Sequence, residues 1–492
     1  MIIRRFEESD AGEVSRLIRT TIQISNTKDY PVELMDALIE VETEEHVLER
    51  ASWTHFYVVT DEDKIIGCGA IGPYWGKEDE SSLFTIFVHP DHQGKGIGRD
   101  IVNTLEEDVY FKRAKRIEIP ASITGVPFYR KMGYTFKNGV TEPDEEHLIR
   151  MEKKRELWDL YDREGKRTGE IFERGFGTYQ KIPQGRYHLV SDVLVQNKDG
   201  RFLLCKRHME KDVYPGFWEA SAGGSAKVGE LPGECARREL KEETGLETDQ
   251  LDLINVVFRE PSHSLIYCYV ARVDVDPDSV ILQEEETVDY KWVDAAGLLD
   301  YSVSDVAIKT SVERYENFYN VMKLAVQNIH VRKAFSKDVP RVKTLFTEMM
   351  RTIYKTDGVE DGYEDGYEDG YLDKFFSGTG DFIYVAETEG EVIAFLSVEE
   401  HNENERFIYL DDLSVTEQFR NRGVGRCLIG MAEMYSVQKE IPAIILHVDK
   451  ENDLAYKLYK RLGYSVITDD GDRMRMKKSQ TYTKQESGIR RV

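Results

Sequence analysis

The chain has 492 residues, 40% hydrophobic and 32% charged, with a net charge of −25. That length exceeds one ordinary core and points to about three domains, in a composition typical of a soluble globular protein. The acidic balance excludes general nucleic-acid binding. No apolar run is long enough to span a bilayer, and the beginning of the chain lacks the basic-then-apolar layout of a signal peptide. Cys68, Cys205, Cys235, Cys268 and Cys427 are odd in number and never form a CxxC pair. They point to a reducing, cytoplasmic setting and away from a disulfide framework or a zinc site.

In chain order, residues 2–6 predict a strand, and residues 56–60 and 65–71 predict a hairpin. A strand over 83–88 ends in Val88 and leads into a glycine-rich loop holding Gln93, Gly94, Gly96 and Gly98. Apolar residues at helical spacing follow: Ile97, Ile101 and Leu105. Glycines at the mouth of a helix let backbone N–H groups approach an anion that the helix dipole also favours. The segment 119–134 then carries Tyr129. Glu80 stands at the edge of the 83–88 strand and Thr85 in its middle, which leaves the first region without a well-placed acid.

A charged junction at 153–158 opens the middle region. Residues 188–195 and 201–207 predict two strands around a turn at 197–200, and 290–293 a later strand. Between them, Pro232 suits the first position of a helix and Gly245 the position just past its end. Glu239, Glu242 and Glu243 fall at i, i+3 and i+4 on one face of that helix. Like charges that close raise one another's pKa, and a hard divalent cation, Mg²⁺ or Mn²⁺, removes the conflict. Arg238 beside them can clamp a carboxylate. Glu286, in the acidic run 284–286, is either a further ligand or base, or part of a solvated surface. A single helix over 301–327 is predicted from the spacing of Val312, Tyr315, Phe318, Tyr319, Met322 and Val326.

The last region repeats the first. Residues 330–334 predict a strand, 382–387 and 392–398 a hairpin, and 408–415 a strand ending in Val415. A loop with Arg420, Arg422, Gly423, Val424 and Gly425 follows, then an amphipathic helix, then the segment 446–464 with Asn452 and Tyr459. Asp411 and Asp412 lie in the 408–415 strand, where alternation predicts that at most one points into a site. Before the hairpin, Glu-Asp-Gly-Tyr occurs three times between 360 and 371. Its six carboxylates either attract a polycation or lie in a solvated loop.

Three stretches resemble known families. Gly224, Glu230 and residues 238–246 match the signature box of the Nudix hydrolases without a departure. This implies Mg²⁺ or Mn²⁺ held by Glu230, Glu239, Glu242 and Glu243. It also implies cleavage of a small-molecule diphosphate, with Arg238, Glu242 and Glu243 in the catalytic machinery. The opening 156–162, Arg174, 185–188 and 215–218 resemble the subgroup that includes isopentenyl-diphosphate isomerase. Where that isomerase has its catalytic Cys and a metal-binding His, this chain has Gly223 and Ser225, so hydrolysis is the expected reaction. The two flanking regions resemble the GNAT superfamily of N-acetyltransferases.

The GNAT resemblance implies acetyl-CoA held by Val88, Gln93, Gly94, Gly96, Ile97 and Gly98 in one copy. In the other it implies Val415, Arg420, Arg422, Gly423, Val424, Gly425 and Asn452. It further implies that Tyr129 and Tyr459 protonate the departing thiolate, unless they only pack against the sheet, and that Asp412 takes a proton from an amine acceptor. Around Asp412 the strand resembles that of spermidine/spermine acetyltransferases, which implies a polyamine-like amine; a protein amine is the other acceptor class. The expected fold is a multidomain α/β (α+β) chain, with two GNAT mixed-sheet domains flanking a Nudix α/β/α sandwich. The expected boundaries are 1–153, 154–327 and 328–478, with a disordered tail at 479–492. Two functional readings stand. One is a multifunctional enzyme with hydrolase and acetyltransferase activities. The other is a hydrolase whose GNAT domains are CoA-binding sensors or assembly modules.

Overall fold

A computed structural model describes residues 1–480, except 63, 75, 175–180, 210, 212, 221, 284–285, 355–366, 368–369 and 403–404. The chain divides into two compact units, Met1–Glu156 and Leu157–Val492. The architecture is α/β with three sheets, as expected.

The first unit is built on a seven-stranded sheet. Strands Ile2–Arg5, His55–Asp61, Lys64–Tyr74 and Lys77–Val88 run antiparallel, each beside the next. Lys77–Val88 then pairs in parallel with Arg116–Ala121, but only from Glu80↔Arg116 to Ser82↔Glu118. Beyond Ser82 the two strands part, and the gap between them is a cleft. Where Lys64–Tyr74 pairs with Lys77–Val88, the register shifts between Cys68 and Ala70. The extra residue makes a bulge at which Thr85 takes φ 53°. Helix Ile97–Glu106 packs its apolar stripe, Ile97, Ile101, Val102 and Leu105, on this sheet. The fit is close: a Cβ on Gly69 would lie 2.4 Å from Ile101 Cγ2.

The second unit holds two sheets. The first of these has nine strands. Its spine is Tyr187–Asn197, parallel to Ser264–Val273 along ten register pairs and antiparallel to Ala222–Ser225. Helix Pro232–Thr244 buries Cys235, Ala236 and Leu240 against Leu189 and Val193 of the spine. A fully buried leucine such as Leu240 contributes about 1.5–3 kcal/mol. Ser191 Oγ donates to Pro232 O at 2.8 Å and pins the start of this helix. The helix predicted over 301–327 is broken into Ala295–Val303, Lys309–Arg314 and Glu316–Ala325. The expected spacing survives in pieces, because Asp294 caps an earlier start and residues 304–308 turn the chain.

The last sheet has seven strands in the same order as the first. Here Phe407–Val415 pairs in parallel with Ala443–Asp449 only from Ile408↔Ile444 to Leu410↔Leu446, and the same kind of cleft opens. Of the expected disordered tail, Ser479 instead ends strand Arg473–Ser479, paired with Ala443, and 481–492 lie outside the described residues. No described helix is long and apolar enough to cross a membrane.

Helix Val424–Gln438 belongs to this last sheet yet also packs on the nine-stranded domain. Met434 joins the core around Phe318, and Val437 joins that around Leu189. Gly430 leaves room there: a Cβ would lie 2.9 Å from Asn317 Oδ1, so the Asn317 side chain would have to shift. Buried Glu433 accepts from Asn317 Nδ2 at 3.0 Å, from Lys478 Nζ at 2.7 Å and from Tyr464 OH at 3.4 Å. Glu433→Ala strands the Lys478 ammonium and the Asn317 amide, and is expected to cost about 3 kcal/mol. Urea unfolding followed by hydrogen exchange in peptides from both sheets of the second unit should show one shared transition, at a lower midpoint in the variant. Separate transitions for those two sheets in the wild type, or an unmoved midpoint in the variant, would count against this shared packing.

Candidate functional site

The acidic helix starts at Pro232 and ends at Gly245, whose φ of 71° is the left-handed cap that glycine supplies without strain. Arg238 organises the box. Its guanidinium donates to Glu230 at 2.7 and 2.8 Å, to Glu239 at 2.6 Å, to Glu242 at 2.9 Å and to Ser225 O at 3.1 Å. The Glu230 and Glu239 side chains are 14% and 12% exposed and that of Glu242 is 49% exposed, so Glu242 is the member that faces water. Gly224 is part of the same arrangement: a Cβ there would sit 2.4 Å from the Glu239 carboxylate, so any side chain would displace it.

Glu243 turns away from Arg238. Burial first, then the charges of Glu219 and Glu239, push its carboxyl well above the usual range, opposed by a hydrogen bond from the Gly223 backbone. Glu219 is likewise raised by burial, although Arg207 holds it at 2.9 and 3.0 Å. Glu219 thus joins the box from strand Trp218–Ala220, and nothing in the spacing of the box announces it. Glu286 is paired with Lys211, while Glu284 and Glu285 lie outside the described residues. Among the described residues, no three His, Cys, Asp or Glu side chains meet as a formed metal site. The donor set nevertheless fits a hard divalent ion. All its donors are carboxylate oxygens, and the charges of Glu219 and Glu239 both raise Glu243.

The cleft of the last sheet is a cavity of about 670 Å³. Val415, Arg420, Gly423, Val424, Gly425, Asn452, Asp412 and Tyr459 all line it. Arg422 does not; its guanidinium lies 5.1 Å over the Phe419 ring. Gly423, at φ 86°, opens helix Val424–Gln438. Arg420 braces the loop by donating to Val415 O at 2.9 Å and to Thr352 at 3.2 Å. Asn452 accepts from Ala455 N at 3.2 Å as a helix cap. Burial, with the Tyr409 and Asp412 charges behind it, pushes the Tyr459 hydroxyl up to about 12, so it stays protonated at neutral pH.

Asp411 and Asp412 do not alternate between faces as expected. Between Leu396 and Val398 the register shifts, so the two aspartates together face Ser397 in a bulge, and both line the cavity. Tyr367 OH donates to Asp412 at 2.6 Å and Tyr371 OH to Asp411 at 2.8 Å. Both tyrosines come from the Glu-Asp-Gly-Tyr repeat, with their rings stacked at 5.1 Å and 7°. Two tyrosines of the repeat, Tyr367 and Tyr371, therefore hold the aspartates of the site, and Tyr363 lies outside the described residues. Its six carboxylates, between 360 and 369, lie outside the described residues.

The cleft of the first sheet is a second cavity of about 720 Å³. Val88, Gln93, Gly94, Gly96, Ile97, Gly98 and Tyr129 all line it. Gln93 repeats the brace of Arg420, donating to Val88 O at 3.0 Å. Gly94 and Gly96 take φ 75° and 91°, and Asn421, the counterpart of Gly94, takes φ 61°. Burial raises the Tyr129 hydroxyl. Glu80 is spent on Arg116 and Lys77 outside this cavity. Glu42 and Arg50, which the sequence did not single out, also line it.

The NUDIX domain model matches residues 186–310. An acetyltransferase (GNAT) domain model matches residues 52–136, and an acetyltransferase (GNAT) family model matches residues 347–464. An uncharacterized Nudix hydrolase of Listeria innocua is 34% identical over 142 residues, covering 28% of this chain and 79% of that protein. The nucleoside triphosphatase NudI of Escherichia coli is 32% identical over 127 residues, covering 24% of this chain and 89% of that protein. A PaiA N-acetyltransferase from Thermoplasma acidophilum, solved with coenzyme A, aligns at 18% identity and a TM-score of 0.28, covering 31% of this chain and 98% of that one. The chain belongs to the Nudix hydrolase family and carries an acetyltransferase (GNAT) domain on each side of its Nudix domain.

Proposed function

We propose that the chain couples Mg²⁺- or Mn²⁺-dependent hydrolysis of a small-molecule diphosphate with acetyl-CoA-dependent acetylation of small amines. The observation that carries the hydrolase reading is buried Glu243, whose carboxyl is raised by burial and then by the charges of Glu219 and Glu239. Glu239 and Glu243, with Glu230 and Glu242 of the box, would hold the ion. When bound, a divalent ion neutralises these carboxylates and polarises the phosphoryl oxygens of the substrate. The chain's own part is positional and acid–base. Arg238 holds Glu230, Glu239 and Glu242 on one side of the helix. Glu243, or the water-facing Glu242, accepts the proton of the attacking water. NudI, a nucleoside triphosphatase, makes nucleoside triphosphates the first substrates to try.

In the C-terminal domain, glycine-loop backbone groups bind the diphosphate of acetyl-CoA, and the Asp411–Asp412 pair receives a cationic amine, a polyamine by charge. Asp412 takes a proton from the ammonium and Tyr459 gives one to the departing thiolate. The domains are taken as 1–153, 154–327 and 328–478, in a cytoplasmic protein.

The experiment is a screen of nucleoside triphosphates and nucleoside diphosphate conjugates with Mg²⁺, read as released phosphate or nucleotide. At least one substrate should turn over, and chelation should abolish turnover. Turnover unaffected by chelation would sink the metal-dependent reading.

A further inference from the structure

The N-terminal cavity contains a carboxylate that the strand pattern hides. Counting back three residues from the valine that ends each strand, Asp412 corresponds to Thr85, which has no acid to offer. Yet Thr85 sits at the bulge with φ 53°, rare for a β-branched residue, and it is held there. Arg50 Nη1 donates to its Oγ1 at 2.6 Å, and Cys68 Sγ donates to its carbonyl at 3.4 Å. Arg50 in turn pairs with Glu42 Oε1 at 3.5 Å and contacts His46 Nε2 at 2.6 Å. Glu42 lies just past helix Val32–Val41 and is 6% exposed. Its Oε2 is buried with no hydrogen-bond partner, although Glu42 is part of the cavity wall. A buried carboxylate oxygen without a donor is costly, and a donor entering from the cavity would satisfy it.

We propose that Glu42 is the catalytic base of a second acetyltransferase site, taking a primary amine with one positive charge on an apolar body. The inference rests on the reading that this domain binds acetyl-CoA along Gln93–Gly98. The charged groups around each bulge set the acceptor class. Glu42 and Arg50 nearly cancel, whereas the C-terminal site presents two aspartates. Leu38, Phe84 and Phe87 line the same cavity and suit a hydrocarbon or aromatic body.

The ammonium donates an N–H to Glu42 Oε2, and the carboxylate takes that proton and passes it to solvent. The freed lone pair forms the N–C bond at the thioester carbonyl as the C–S bond breaks. A second N–H proton ends on the thiolate through the Tyr129 hydroxyl. The products are the amide, free CoA thiol and one released proton, with no oxidant or reductant.

The test uses the full chain with the C-terminal site silenced by Asp412→Asn and Tyr459→Phe. Thiol release from acetyl-CoA is followed with phenethylamine and with spermidine, and acetyl-CoA binding is measured by equilibrium dialysis. Phenethylamine is expected to be the better acceptor. Glu42→Gln should lower kcat about a hundredfold at pH 7 with the KM for acetyl-CoA unchanged. The deficit should shrink as pH rises toward the pKa of the amine, because the free amine then needs no base; a purely structural role would not recover in this way. The preference between the two amines in the parent needs no Glu42 variant and stands even if that variant does not fold. An unaltered kcat in Glu42→Gln, a preference for spermidine, or no thiol release while two acetyl-CoA bind per chain would overturn the assignment alone. Failure of this domain to bind acetyl-CoA would overturn both the assignment and the reading beneath it.

Discussion

Glu243→Gln is expected to reduce diphosphate hydrolysis about a thousandfold while both acetyl transfers keep their wild-type rates. The size follows from the double part assigned to this residue. In the proposed mechanism it would give one oxygen ligand to the ion and accept the proton of the attacking water, and loss of either is worth about 10²–10³ in rate. The separability follows from position: neither acetyltransferase cavity is lined by Glu219, Glu239 or Glu243. Binding supplies a check independent of turnover. An ion that binds only the folded state stabilises it by RT ln(1 + [L]/Kd), about 2.7 kcal/mol at a hundredfold excess over Kd. Manganese should therefore raise the unfolding midpoint of the wild type well above that of Glu243→Gln. Equal shifts in the two proteins would place the ion elsewhere.

Asp412→Asn is expected to lower C-terminal acetyl transfer about 10²–10³-fold and to change its pH dependence. Burial, then the neighbouring Asp411 charge, push the Asp412 carboxyl up to about 7. Asp411 is also raised, by burial first, so the pair holds a proton into the neutral range. The wild-type kcat/KM should therefore climb as pH rises through about 7, when the pair becomes able to take a proton from the amine. The variant should lack that limb. Stability carries the opposite sign. A carboxyl whose folded pKa lies above its unfolded value near 3.9 contributes stability below that value and loses it as pH rises through the folded pKa. The neutral amide of the variant removes the loss and still accepts the Tyr367 hydroxyl. Thermal unfolding at pH 8 should thus find the variant more stable than the wild type, and at pH 4 less so or equal. A variant less stable at pH 8 would mean that the aspartate is favourably held as an anion.

Much of this was legible in the chain because it depends on short-range rules. Pro232 and Gly245 mark the ends of the acidic helix, and the two glycine loops announce themselves by spacing after a strand-ending valine. What escaped depends on contacts between distant residues. Glu219 reaches the acidic helix from a separate strand, and no spacing within the box points to it. The bulge that brings Asp411 and Asp412 to one cavity is a property of strand pairing, invisible to simple alternation. Tyr367 and Tyr371 look like tokens of a repeat until the fold lays them on that bulge. Glu42 lies 43 residues before Thr85, on a helix end with no motif of its own. The helix expected over 301–327 had the right apolar spacing, but spacing does not reveal where a chain turns.

The hydrolase reading stands or falls on whether the Nudix carboxylates hold a divalent ion. Anomalous diffraction at the manganese edge, from crystals grown with Mn²⁺, would locate that ion. A peak is expected about 2.0–2.3 Å from oxygens of Glu239 and Glu243. An anomalous map with manganese only at other sites, and with Arg238 still bridging Glu230, Glu239 and Glu242, would contradict that reading.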